Sequence, residues 1–286
     1  MKIGVLAWIT HKSDSPALVA KKCEALGFES VFFPEHPIIP VNRKTPYPAG
    51  DGKLPDLYTR MVDPFVALSF AAAATSKLKI GTGICLVPER DPLVLAKEVA
   101  TLDFYSGGRV IFGIGAGWLA EELEIMGASF KRRWAITREY VRAMKELWTK
   151  DEASFEGEFV RFPQVLSYPK PAQKPHPPVH IGAGGIGPTE RALKNTVAIG
   201  DGWAPLGLPP EQLAKDLATL KKMCAEADRD YSKIDISMYF PVVEGDPKRA
   251  IEQYREAGCH RMIFPLSLAE KNAEAELEEL AKKFVK

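Results

Sequence analysis

Short apolar strand candidates alternate with amphipathic helical runs along the chain, a rhythm that points to an α/β fold around a parallel sheet. The strand candidates occupy residues 2–7, 30–33, 78–84, 110–115, 179–182, 202–205, 234–240 and 261–265. Runs such as Val31-Phe32-Phe33 and Val110-Ile111-Phe112 lack polar alternation, as expected of strands covered on both faces. Eight strands divided by helices favour a closed (β/α)8 TIM barrel over an open sheet. The 286-residue length suits one such domain spanning 1–286. The helix starts repeat a second signal: Ser15-Pro16, Asp63-Pro64, Asp91-Pro92 and Asp246-Pro247. In each pair the first side chain can accept from free backbone N–H groups, and proline at the first helical position forfeits no intrahelical bond. After the first pair, Leu18, Val19, Cys23 and Leu26 recur at helical spacing until Gly27, a natural stop.

Three stretches break the rhythm. Pro34 and Pro37 flank Glu35-His36 and end the second strand, and residues 37–62 are rich in proline, glycine and charge. A loop of that length after strand 2 is expected to be a lid or binding loop. Residues 154–162 read as a hairpin around Gly157, and the proline-rich 163–178 should be extended. Together they form one insertion between strands 4 and 5.

Composition narrows the function classes. Lys plus Arg at 38 against Asp plus Glu at 37 leaves a net charge of +1, which removes the electrostatic case for nucleic acid or an anionic membrane surface. No apolar run is long enough to cross a bilayer, and the N-terminal one is too short for a signal peptide. Cys23, Cys85, Cys224 and Cys259 form no C-x-x-C pair, consistent with buried thiols in a reducing cytoplasm. Pro177 and Pro178 forbid a helix that would bring His176 and His180 together, so no metal site is expected.

A parallel barrel assembles its site where the strands end. Strand 2 ends in Glu35-His36, either an acid/base pair under the loop or a surface carboxylate beside a half-buried imidazole. Strand 3 carries Gly81, Thr82, Gly83 and Ile84, whose glycines mark a bulge, a close ligand approach or a packing need. Strand 4 ends in Gly115-Ala116-Gly117-Trp118, a tight βα turn or a place where backbone amides face an anion. Gly182-Ala183-Gly184-Gly185-Ile186-Gly187 matches G-x-G-x-x-G, and Asp201 follows at about the distance of a ribose-binding acid. Four βα units precede this motif, however, and Asp201 lies in a turn. It therefore reads as a phosphate-cradling loop of a barrel more than as a dinucleotide fold. Trp8, at the end of strand 1, is either a site wall or core.

Taken in order, Lys2 to Trp8, Glu35-His36, the block from Gly81 to Trp118, the Gly182 loop and Gly200-Asp201-Gly202-Trp203 resemble the bacterial luciferase-like superfamily. The most specific stretch runs from Pro92 to Asp103 with Ser106-Gly107-Gly108-Arg109. Within the superfamily the chain is most similar to the deazaflavin (coenzyme F420) oxidoreductases, with FMN-dependent monooxygenases on the same scaffold. The resemblance implies a barrel whose mouth holds the cofactor ring beside Ala7, Trp8, Thr82, Gly83 and Ile84, with a non-prolyl cis peptide at Gly83-Ile84. It places Gly115, Ala116 and Gly117 near the ribityl and phosphate arm, and Ala183, Gly184, Gly185 and Ile186 around the phosphate. It makes His36 the proton donor or acceptor, with Glu35 orienting or tuning it. The implied reaction is hydride transfer between the deazaflavin C5 and a small organic substrate. Oxygen chemistry with FMN and a reductase partner, or a non-catalytic flavin-binding protein, are the alternatives. A homodimer is the assembly the resemblance implies.

Overall fold

A computed structural model describes residues 1–182, 189–266 and 273–285. Strand β1 (Lys2–Leu6) leads into α1 (Pro16–Leu26), and β2 (Ser30–Phe33) precedes the long loop and α2 (Pro64–Ala74). Strand β3 (Lys79–Thr82) and the two-residue β4 (Cys85–Leu86) precede α3 (Pro92–Ser106), β5 (Val110–Gly115), α4 (Ala120–Ile125) and α5 (Arg133–Thr149). An antiparallel hairpin of β6 (Glu152–Glu156) and β7 (Arg161–Leu166) comes next. Then follow β8 (Val179–Gly182), α6 (Thr189–Ile199), β9 (Gly202–Ala204), α7 (Pro210–Glu226), β10 (Asp235–Tyr239), α8 (Pro247–Glu256), β11 (Arg261–Pro265) and α9 (Ala273–Phe284).

Among the described residues, eight parallel strands close into a ring in the order β1-β2-β3-β5-β8-β9-β10-β11, with β11 returning to β1. This is the expected (β/α)8 barrel. All four serine- or aspartate-proline pairs cap helices as expected: Ser15, Asp63, Asp91 and Asp246 each accept a backbone N–H of the first turn. The 78–84 strand is shorter than its apolar run, because pairing stops at Thr82 and resumes at Cys85. The intervening Gly83–Ile84 peptide is cis. The hairpin reaches further into the proline-rich segment than expected, since β7 runs to Leu166 through Pro163. The register shifts between Ala153 and Phe155, and an irregular two-stranded edge tolerates a residue without an N–H.

Apolar side chains between strands and helices make the larger core, and Leu6, Phe32, Ile111, Ala204, Tyr239 and Ile263 fill the barrel interior. Much of the 92–109 stretch is structural. Asp103 is buried and accepts from Gln173 N (2.9 Å) and Gln173 Nε2 (2.7 Å), which ties the insertion to α3. Arg109 donates to the carbonyls of Ser106, Leu78 and Ala72, joining α2, α3 and the residue before β3.

Gly115 of β5 and Gly182 of β8 answer to one side chain. A Cβ on Gly115 would lie 2.2 Å from Ile84 Cδ1, and one on Gly182 would lie 2.5 Å from Ile84 Cγ2. Gly115→Ala is therefore expected to cost about 1–3 kcal/mol of stability, as overpacking does. Thermal melts check this: Ile84→Ala in the same background should recover part of the loss, and full stability of Gly115→Ala alone would refute the packing account.

Candidate active site at the barrel mouth

Strand β2 ends against the mouth, and Pro34-Glu35-His36-Pro37 turns the chain across it. The His36 side chain is only 5% exposed and has both ring nitrogens engaged. Nδ1 lies 2.7 Å from Glu122 Oε2, and Nε2 lies 3.2 Å from the indole Nε1 of Trp118. An indole N–H can only donate. Nε2 therefore carries the lone pair, and Nδ1 carries the proton that it donates to Glu122. Glu122 is fully buried in the first turn of α4, and its other oxygen accepts a long bond from Ile38 N. Trp118 follows Gly117, whose φ of +80° turns the chain back after β5.

Glu35 has a different role from the one its neighbour suggests. Its carboxylate is held by Arg90, with Nε 3.1 Å from both oxygens, and accepts from Leu86 N at 3.3 Å. Arg90 also pairs with Asp63 at 2.6 Å and lies over the Phe65 ring. Burial pushes the Glu35 carboxyl up while Arg90 pulls it down. Glu35 thus anchors the β4 segment to the end of β2, and the carboxylate that orients His36 is Glu122. The correction has a simple cause: adjacent residues in an extended segment point in opposite directions, so a sequence neighbour is rarely a contact.

A cavity of about 480 Å³ opens beside this pair, walled by Trp8, Tyr47, Tyr58, Phe240, Pro265 and Leu266, with α9 at its rim. Tyr47 and Tyr58 come from the 37–62 loop, which thus covers the mouth as expected of a binding loop. Their hydroxyls are 2.9 Å apart, and the loop is pinned to α4 because Glu121 accepts from Lys44 N and Thr45 N. Burial, reinforced by the Tyr47 hydroxyl, raises the Tyr58 phenol well above its ordinary range, so it stays protonated. The Trp8 Nε1 atom is buried and makes no hydrogen bond of ordinary geometry, although it lies near enough to Tyr58 to oppose that rise.

The other expected cofactor residues divide. Ala7 is buried where β1 ends, and Gly83 and Ile84 are half-buried at the mouth. The Thr82 hydroxyl is spent on Gly113 O at 2.6 Å. Gly115 and Ala116 are buried, and Gly117 serves the turn. The helix start after them carries Glu121 and Glu122, a poor setting for a phosphate. Ala183, Gly184, Gly185 and Ile186 lie outside the described residues. Asp201 sits where the chain enters β9, accepting from Val179 N at 3.0 Å, so it is at the barrel's opposite end from the mouth. The four cysteines are buried free thiols, and among the described residues no group of three or more potential ligands gathers as a metal site. No helix among the described residues is long and apolar enough to cross a membrane.

Glu89 gave no signal in the sequence, yet both its carboxyl oxygens are buried without a hydrogen-bond partner. Burial, then the charges of Glu122 and Glu35, push its carboxyl up to about 9. From about pH 4.3 upward an unfolded chain has released this proton while the folded one keeps it, so stability falls as pH rises towards the shifted value. Glu89→Gln removes that slope. Its stability relative to the parent should grow by up to about 1.4 kcal/mol per pH unit between pH 5 and 8. Denaturant titrations across that range check this, and parallel curves would overturn it.

The family model for luciferase-like monooxygenases matches residues 6–284. An uncharacterised protein of Mycobacterium tuberculosis is 43% identical over 205 residues, 71% of each chain. The F420-dependent glucose-6-phosphate dehydrogenase of Kineococcus radiotolerans is 28% identical over 284 residues, 93% of this chain and 77% of that one. An FMNH2-dependent dimethylsulfone monooxygenase of Pseudomonas putida is 38% identical over 113 residues, 38% of this chain and 31% of that one. Among solved structures, the coenzyme F420-dependent tetrahydromethanopterin reductase of Methanopyrus kandleri superposes with a TM-score of 0.75 at 19% identity, covering 99% of this chain and 98% of that one.

Proposed function

The chain belongs to the luciferase-like monooxygenase family, whose members include F420-dependent and FMN-dependent enzymes, and from that premise we propose that it is an F420-dependent oxidoreductase acting on a small organic substrate. The observation that carries this reading is His36: an imidazole backed by a buried carboxylate on Nδ1, its Nε2 lone pair met by the Trp118 indole, and its ring packed against Tyr58 of the cavity wall.

The described residues fit the ring of such a cofactor. Gly83 and Ile84, half-buried at the mouth, offer a floor, although the smallness of Gly83 itself is required by Leu6 and Tyr239, which a Cβ there would meet at 2.7 Å and 3.2 Å. Trp8 adds an aromatic wall whose buried N–H makes no hydrogen bond of ordinary geometry. A deazaflavin held there would supply hydride transfer at its C5 carbon. The chain's own residues do the rest. His36 Nε2 takes a proton from a substrate hydroxyl, or returns it in the reverse direction, and Glu122 stabilises the imidazolium that results. Tyr47, Tyr58 and the loop that carries them keep water from the reacting groups.

The test is an anaerobic titration of the purified protein with F420 and, separately, with FMN, followed by fluorescence. Tighter binding of the deazaflavin is expected. Preference for FMN would overturn the cofactor assignment in favour of oxygen chemistry with a reductase partner, and binding of neither would overturn the site.

A homodimer is part of the same proposal. Val66 and Phe70, one turn apart on α2, are 60% and 59% exposed, and Val94 and Tyr105 extend the apolar surface along α3. Such a patch is best covered by a second copy. Sedimentation should show a dimer that Phe70→Glu converts to a monomer, and a monomeric parent would refute it.

A further inference from the structure

Trp118 has a place in this site that the proposed proton chemistry does not use. Its indole N–H sits on Nε2, the one His36 nitrogen that is not turned into the buried Glu122. The two rings meet edge-on, 5.6 Å between centroids and 73° between planes. Tyr47, a cavity-lining residue of the loop, also packs edge-on against the indole, at 5.8 Å. Tyr58 in turn touches both Tyr47 and His36. The backbone beneath is held, because Arg133 Nε donates to Gly117 O at 3.1 Å. The main chain just before Trp118 is thus tied to α5.

A donor on Nε2 and a carboxylate on Nδ1 leave His36 no position from which to exchange a proton with a third group. A substrate hydroxyl needs the same lone pair that the indole occupies. We propose that Trp118 is a positioning residue that gates His36, keeping Nε2 occupied and unprotonated while Glu122 holds the proton on Nδ1, and yielding Nε2 only when a cavity ligand displaces Tyr47 and lets the indole rotate away. The proposal rests on His36 as the proton-handling group and adds the device that readies it. The indole serves as a place-holder for the substrate's own donor: it keeps the lone pair bonded until that donor arrives. Glu122 faces Nδ1, Trp118 faces Nε2, and Tyr58 lies against the ring, with Glu89 and the Glu35–Arg90 pair behind Glu122.

The test is a long-range proton–nitrogen correlation spectrum of the full chain labelled with 15N-histidine, recorded at neutral pH without added cofactor or substrate. His36 should show a single tautomer, with a protonated Nδ1 and a lone-pair Nε2. In Trp118→Phe, which keeps the aromatic packing and deletes the donor, that pattern should be lost, with Nε2 taking up a proton while Nδ1–H stays on the Glu122 carboxylate. A protonated Nε2 in the parent protein would overturn the proposal without any variant, and so would an unchanged spectrum in Trp118→Phe. Tyr47→Phe, which keeps the ring contact, should leave the spectrum as it is in the parent. Because no cofactor is present, failure here is separate from failure of the F420 assignment, which the titration decides.

Discussion

Replacing His36 with alanine is expected to slow turnover about 10²–10⁴-fold, the range a positioned general acid or base contributes, while leaving cofactor affinity nearly unchanged. The imidazole is turned towards Glu122 and Trp118 and is not part of the cavity wall, so its loss removes a proton carrier more than a binding surface. Glu122→Gln should fall between parent and His36→Ala, because the amide can still accept from Nδ1 but no longer stabilises the imidazolium. Steady-state rates beside fluorescence titrations of cofactor binding measure both effects. Unchanged turnover in His36→Ala would remove its catalytic role, and parallel loss of turnover and cofactor binding would make it a structural residue.

Replacing Arg261 with methionine is expected to cost about 3 kcal/mol of folding stability, towards the lower end of what breaking a buried ion pair costs. Arg261 opens β11 at the end of the barrel opposite the mouth, and its side chain is 3% exposed. It donates to both oxygens of Glu29 at 2.8 Å, to Asp235 at 2.6 Å and to the Ser237 hydroxyl at 2.8 Å. Methionine fills much of the same volume but leaves two carboxylates without their counter-charge. They are about a quarter exposed, so solvent softens the loss. Burial opposes the Asp235 charge, but His260 and Arg261 outweigh it and hold this carboxyl well below the ordinary range. A lowered folded-state value stabilises fully above about pH 4, where the unfolded carboxyl is also ionised, and that stabilisation is lost as pH falls further. The difference between parent and Arg261→Met should therefore be largest near neutrality and shrink in acid. Denaturant midpoints at pH 7 and pH 3.5 would reveal it, and a difference that grows in acid would refute the ion-pair account.

The elements were legible because their signals are local. Ser15, Asp63, Asp91 and Asp246 each cap the helix that the following proline opens, and hydrogen bonds to the next few amides need no distant residue. The strands at 30–33, 110–115, 179–182 and 261–265 match the apolar runs that mark them. The long loop after β2 also stood out by its prolines, glycines and charge, and it supplies Tyr47 and Tyr58 to the cavity wall.

The partners of the site were not legible in the same way. Glu35 stands next to His36 in the chain but reaches Arg90, whereas Glu122, eighty-six positions away, holds the imidazole. The spacing of Trp118 and Glu122, one helical turn apart, was the nearest available signal, but nothing in it says which strand end they face. Gly115 shows the same limit: its smallness invites a ligand, yet it is Ile84 that fills the space. By itself, the sequence determined the eightfold alternation, the helix starts, the covering loop and the strand end that carries His36, because each depends on contacts within a few residues. Only the tertiary structure decided which carboxylate meets that imidazole, which indole covers it and which ions clamp the far end of the barrel. Those pairings arise when ring closure brings distant strand ends together, and a side chain's direction there is set by neighbours that lie remote in the sequence.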